Sequence, residues 1–502
     1  MASKTSSPTG INNTRTVIYG TFSGLDTSRH ETSLDTSKSL HMTKLENGYC
    51  DFQGQIVRES TAHFRKGSYP IVQMRFLDKD HLVWAEQRGG GIYLNNDNED
   101  ELEAYASNSL VSSTTFNRKV HFTSRLQRSF NYDGIVWVRN QSFAMNEIMR
   151  PAYFSAVQRR MVAAGVSGNE QTVYLSHVDN HEVWADDEAP DSADALRGGK
   201  INISNIVGSA GRITGIAPFE QTKLAIFTED RTFIYDIDPD IAKWLLDNRA
   251  SINIGCVSHN TIQSAGSDLL YCSRSGIHTV HRSEDNGILL MSQSLSDKVE
   301  ILYRSFLSQV DDPETINAVF DRDNKQYHVY FPISGGITTQ RLTLNLNTEV
   351  KEGRIKWSTG TYLNARCGAF YGGQLVVGTG GGAFNVDKPE DINPDSVAPE
   401  MTAVSPILWL KDIENTKESQ SLTIIASGPG EIKVEALNEE NKQLASWVME
   451  IDGDTDDNRY IGVPLSKQYH RQFNARFRGL RLRFTAKSKG LVRIVGFIVK
   501  MR

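Results

Sequence analysis

Residues 82–94 read LVWA-EQRGG-GIYL, two short apolar runs held apart by a turn that ends in three glycines. Val, Ile, Leu, Trp and Tyr suit a pleated, half-buried strand, and glycine accepts the positive φ of a tight turn. The stretch predicts a β-hairpin, and the chain repeats it. Further units are GIVWV-RNQ-SFAM from Gly134, VYLS-HVDN-HEVW from Val173, LAIF-TEDR-TFIY from Leu224 and LLYC-SRSG-IHTV from Leu269. HVYF-PISGG-ITTQ from His328 and LVVG-TGGG-AFNV from Leu375 complete the series. The period is roughly 49 residues, with little helix between units, which predicts an all-β chain built around a β-propeller. A hairpin cannot bury both of its faces alone, so blades must stack about an axis. Trp84, Trp137 and Trp184 take comparable places in their units, as residues that pack between blades do. About six blades fit best if the third unit joins its neighbours; five or seven stay open.

Length and composition bound the rest. At 502 residues, 39% hydrophobic and 23% charged, the chain is too long for one core and too apolar for wholesale disorder. A net charge of −6 argues against a broadly nucleic-acid-binding surface. Cys50, Cys256, Cys272 and Cys367 are dispersed without metal-ligand spacing and read as reduced thiols. The opening MASKTSSPTGINNTR lacks the apolar run of a signal peptide, and no stretch approaches the ~20 apolar residues of a membrane span. Folding in a reducing cytoplasm is the expectation.

Four segments follow in order. Residues 1–67 form an extended arm and lead-in strands, 68–388 the propeller, 389–400 a Pro-rich acidic linker, and 401–502 an antiparallel β-sandwich. One helix is expected at 238–250 (DPDIAKWLLDNRA), capped by Asp238 or Asp240 with Ile241, Trp244 and Leu245 on one face.

The motifs that invite chemistry have plainer readings. Gly89-Gly90-Gly91 and Gly380-Gly381-Gly382 lie in hairpin turns, with no following helix or Lys-Ser/Thr as a phosphate loop requires. Asp452, Asp454, Asp456 and Asp457 resemble the start of a calcium loop, but Asp457 and Val463 stand where Gly and Glu are needed. The acidic stretch at 97–103 reads as an exposed loop. Ser283, Asp285 and Gly287 match part of an Asp-box turn without its closing aromatic, and His177 and His181 fall in a hairpin turn. No serine has the glycines of a nucleophile elbow. The expectation is no catalytic residue, no metal and no cofactor.

The final 38 residues, 465–502, carry eleven Lys or Arg and no acid, leaving −17 on the rest. Alternation in Arg476-Phe477-Arg478 and Arg481-Leu482-Arg483-Phe484 puts the arginines on one strand face and the apolar residues on the other. That face is either a solvated outer surface or a dock for an acidic protein partner. Arg476, Arg478, Arg481 and Arg483 are the candidate docking residues.

The lead-in GLDTSRHETSLDTSKSLHMTKLENGYCDFQGQIVRE resembles the opening of tail nozzle, or packaged-DNA stabilisation, proteins of short-tailed bacteriophages. SAVQRRMVAAGVSGNEQTVYLSHVDNHEVW and GRITGIAPFEQTKLAIFTEDRTFIYD resemble successive blades of that family, and FRGLRLRFTAKSKGLVRIVGFIVKMR its C-terminal sandwich. The resemblance implies a structural, non-enzymatic virion protein, assembled in the host cytoplasm. Six copies would form a tube below an adaptor ring, beside tail fibres or tailspikes. Double-stranded DNA would be held and then ejected through the lumen without sequence-specific binding. An acidic propeller would keep such a channel slippery to phosphates. A long tip insertion that would plug the tube is not evident, so the gating residues stay unassigned. The alternative is a glycan-binding or sialidase-like propeller, which clustered arginines with paired carboxylates on the axis would favour. A monomeric protein-interaction propeller is a further rival, although the repeats lack its Gly-His and Trp-Asp marks.

Overall fold

The computed structural model describes residues 15–501 apart from 30–39, 98–100, 107–108, 126, 141–149, 185–196, 208–210, 248–251, 283–288, 292–293, 334–337, 347–354, 388–394, 411–413, 452–465 and 488–491. The chain forms two compact units. One comprises Thr61–Asn347 and Thr359–Val397; the other comprises Met1–Ser60, Thr348–Ser358 and Ala398–Arg502.

The first unit is a β-propeller. Six four-stranded antiparallel sheets follow the chain as blades. Their first strands are Ile71–Phe76, Ser112–Phe116, Tyr153–Val157, Ile213–Phe219, Gln263–Ala265 and Cys367–Tyr371. A seventh sector, the meander Asn317–Asp321, Gln326–Ile333 and Thr338–Asn345, takes its place before the last blade. The expected count of about six holds for the self-contained sheets, and each of the seven quoted units lies in its own sector. The third unit does not merge: Thr172–Leu175 is the third strand of its own blade, while residues 177–180 form a turn. In the second unit, Trp137–Arg139 is an outer strand and 141–149 lie outside the described residues.

The last blade takes its outer strand from the start of the chain. Ala62–Lys66 pairs antiparallel with Gly382–Val386 and closes the ring. The propeller therefore begins before residue 68, because the final hairpin would otherwise present an open edge.

Packing runs between neighbouring blades, as the hairpin argument requires. Val83, Ile92 and Tyr105 of the first blade meet Val120, Phe122 and Phe130 of the second, with Trp137 against them. Trp84 packs with Cys367 and Val376 of the last blade, and Trp184 with Phe116 and Phe154. All three tryptophans thus serve the core.

Over 238–247, the described part of the stretch expected to be helical, no α-helix forms. Ile241–Lys243 makes one 3-10 turn, capped by Asp240, whose side chain accepts from the Ala242 N–H. Leu245–Leu246 then pairs with Tyr235 and Asp236 as an outer strand, so tertiary pairing overrides the helical pattern. The one described helix of more than two turns, Glu300–Ser308, precedes the seventh sector and sets Tyr303 and Phe306 against Phe331.

The second unit is the sandwich, and the lead-in belongs to it. One sheet runs Lys467–Gln472, Lys417–Ser427, Arg493–Met501, Ile56–Arg58, Gly48–Cys50, with Arg15–Tyr19 also on Arg493–Met501. The facing sheet places Lys44–Glu46, Met401–Val404, Leu480–Ala486, Gly430–Asn438 and Gln443–Ile451 in order. Phe497 of the first sheet meets Phe484 of the second, ring centroids 6.1 Å apart. Residues 15–60 are therefore part of this body, and a separate arm of 1–67 is not what the fold shows.

Candidate functional site

The four docking arginines do not share one strand. Arg476–Phe477 pairs with Lys417 and Glu418 in the first sheet, whereas Leu480–Ala486 lies in the second. The chain changes sheet at Gly479, where a Cβ would come within 2.3 Å of the Ile407 side chain. Arg476, Arg478 and Arg483 are exposed and Arg481 is half-buried, while Phe477, Leu480, Leu482 and Phe484 are buried, so the alternation holds strand by strand. The arginine face is mixed in charge. Arg483 Nη1 lies 3.5 Å from Glu435 Oε2, and Lys433 Nζ lies 2.8 Å from Glu435 Oε1. The hydrogen bond from Lys433, helped by the Lys433 and Arg483 charges, holds the Glu435 carboxyl below its usual range despite burial. Arg481 donates to Asn441 Oδ1.

The axis of the propeller holds a cavity of about 570 Å³, lined by the first strands of all the blades and the seventh sector. Three amides cross it. Gln73 Nε2 donates to Asn260 Oδ1 (3.0 Å), Asn317 Nδ2 donates to Gln73 Oε1 (3.3 Å), and Asn260 Nδ2 donates to the Val111 carbonyl (3.2 Å). Arg75 stands two residues beyond Gln73 on the same strand face, about 7 Å further along. Its Nη2 donates to the Ser113 carbonyl at 2.5 Å. Arg75 is exposed to solvent in this cavity, and desolvation by the surrounding strands pushes its pKa down.

A second cluster sits beside the start of the first strands. Arg125 Nη2 lies 3.3 Å, and Arg212 Nη2 2.7 Å, from the Glu314 carboxylate; Arg125 also donates to the Tyr153 hydroxyl at 3.2 Å. Glu229 accepts from Arg212 at 3.2 Å and from Arg274 at 2.8 Å. Partial burial works against the Arg212 charge, but Glu314 and Glu229 raise its pKa above the usual value. The space left beside Arg125 and Glu314 is about 20 Å³, room for roughly one water. This ion network ties loops of the second, fourth and fifth blades to the turn before the seventh sector.

Sequence reasoning missed both axial groups. Their residues come from strands or loops scattered from Gln73 to Asn317, and no local spacing joins them. The other motifs resolve simply. Gly89 and Gly90 form the two-residue turn between Leu82–Arg88 and Gly91–Asn96. His181 stacks edge-on against His121, centroids 4.8 Å apart, and its carbonyl accepts from Trp184 Nε1. Asp452, Asp454, Asp456, Asp457, Ser283, Asp285 and Gly287 lie outside the described residues. Among the described residues no group of three or more His, Cys, Asp or Glu could hold a metal, and no helix is long and apolar enough to cross a membrane. All four cysteines are buried and unpaired with one another, and burial pushes each thiol up to about 12.

No protein-family model matches the chain, and no curated protein is significantly similar to it. Among solved structures it is similar to the WD40 β-propeller domain of Doa1, with 10% identity and a TM-score of 0.37 over 66% of this chain and 97% of that one. It is also similar to streptogramin B lyase, with 9% identity and a TM-score of 0.40 over 65% and 96% of the two chains. A functionally unknown protein from Desulfotomaculum acetoxidans gives 10% identity and a TM-score of 0.36 over 62% and 89%.

Proposed function

We propose that this chain is a structural virion protein, one subunit of a hexameric tail nozzle in a short-tailed phage, closing and then conducting the DNA channel. The supporting observation is how the nozzle-like stretches partition. The lead-in through residue 58 and the C-terminal FRGLRLRF strands fold as one sandwich, and the blade-like stretches fold as the propeller. A docking module built from both chain ends, with a rigid disc between them in sequence, suits a part that joins a ring. The propeller's own axis cannot be the conduit. A 570 Å³ cavity along strands of up to seven residues leaves a bore under about 10 Å, narrower than the ~12 Å major groove of duplex DNA alone. DNA would pass between copies, with tail adaptor proteins and fibres or tailspikes as neighbours. Light scattering of the chain alone and mixed with adjacent tail proteins, followed by negative-stain imaging, tests this. Sixfold rings are expected; a monomer that ignores tail proteins would overturn it.

A glycan-binding propeller has one observation in its favour, the Arg125, Arg212 and Arg274 cluster with Glu229 and Glu314. Those groups are engaged with one another around a water-sized gap, so this reading ranks second. Binding on a glycan array that is lost in R212A would promote it.

A further inference from the structure

The axial cavity carries a charge pattern that the nozzle reading does not use. The chain is acidic overall, yet no Asp or Glu lines this cavity, whereas Arg75 and Arg322 do. Among the described residues the Arg75 guanidinium bonds only to Ser113, at its carbonyl (2.5 Å) and its hydroxyl (3.4 Å). A guanidinium has five N–H donors in a fork suited to carboxylate and phosphate, and a carbonyl answers only part of it. Arg75 is reached by solvent, so it needs no buried counter-charge, but a cleft walled by low-dielectric strands still focuses the field of a cation that no carboxylate answers. Beside Arg75, Gln73 bonds to both Asn260 and Asn317, which fixes the three amides as a polar wall with hydrogen-bonding capacity to spare. Tyr371, stacked on Phe76 at 6.0 Å, adds an apolar ring to the lining. At about 570 Å³ the volume falls in the ~300–1,000 Å³ range of small-molecule sites.

The geometry points to an anion-binding site on the propeller axis, in which Arg75, supported by Arg322, receives the phosphate or carboxylate of a small polar molecule. One oxyanion would take the guanidinium N–H groups that Ser113 leaves, and hydroxyl groups of the ligand would bond to the amide wall. This proposal is independent of ring assembly.

Calorimetry on the full chain at constant ionic strength tests it, with inorganic phosphate, glycerol 3-phosphate and glucuronate as probes and glycerol as the neutral control. One equivalent of at least one anion is expected to bind with a Kd of about 1 mM or tighter, and glycerol is not. Preference for glycerol 3-phosphate or for glucuronate would separate a phosphate ligand from a carboxylate one. R75Q should weaken binding at least about tenfold, the loss of one charge-assisted pair. R322Q should weaken it several-fold, and its exposed position keeps that test valid if R75Q fails to fold. Absence of binding by every anion at about 10 mM, or unchanged affinity in R75Q and R322Q, would overturn the assignment.

Discussion

Ring closure depends on a strand more than three hundred residues from its neighbour, and one carboxylate holds it. Asp387 is buried and accepts from Thr61 Oγ1 (2.9 Å) just before the closing strand and from Ser396 Oγ (2.5 Å) just after the last blade. His63, within the closing strand, contacts the other oxygen. Asp387→Ala removes both hydroxyl bonds to a charged acceptor, a loss of about 3 kcal/mol at about 1.5 kcal/mol each. The loss should be local, because the bonds hold the Ala62–Lys66 strand and not the packing between the other blades. Native-state hydrogen exchange read by mass spectrometry reports it. Exchange in peptides covering 62–66 and 382–386 should speed by about 100-fold, the equivalent of 3 kcal/mol, while 153–164 stays protected. Asp387→Asn keeps the shape and one acceptor oxygen and should give an intermediate effect. Acceleration below about threefold, or equal acceleration throughout the propeller, would refute the latch.

Burial, with His181 next, lowers the His121 pKa from 6.5 to about 3. Between those values the unfolded chain binds a proton that the folded chain refuses, so stability should fall as pH falls through that window. The contribution lost is about 2 kcal/mol at pH 5, and His121→Phe should flatten that part of an equilibrium unfolding profile; an unchanged slope would sink the assignment. Arg160 is fully buried and donates to the carbonyls of Ser176 (2.8 Å), Arg197 (2.6 Å) and Pro239 (2.7 Å). Arg160→Met strands the buried Ser176 carbonyl, takes the donor from two less buried ones and should cost about 2–3 kcal/mol in urea unfolding, with Arg160→Lys recovering part of it. Charge removal in Arg481→Gln/Arg483→Gln should weaken ring or adaptor assembly seen by light scattering and leave unfolding within about 1 kcal/mol of the parent. Normal assembly of that variant would end the docking role of the arginine face.

What the sequence made legible follows from the range of each interaction. Hairpins are local, so alternation and turn residues located units such as Leu224–Tyr235 and Leu375–Val386 in their sectors. The outer strand Ala62–Lys66 is no less apolar or polar than a linker, and nothing near it names residue 384 as its neighbour. Arg481 and Arg483 were legible as an outward face for the same local reason. The break at Gly479 was not, because the crowding there comes from Ile407, seventy-two positions away. The axial site shows the limit most clearly. In IVQMRF, residues 71–76, Gln73 and Arg75 alternate with apolar residues as on any solvent-facing strand. Only closure of the ring turns that outer-looking face inward, so that an ordinary surface pattern becomes the wall of an enclosed cavity. An arginine which on an open sheet would be hydrated on every side is, in a propeller, left facing a confined space without a carboxylate, and that confinement gives it an anion to find.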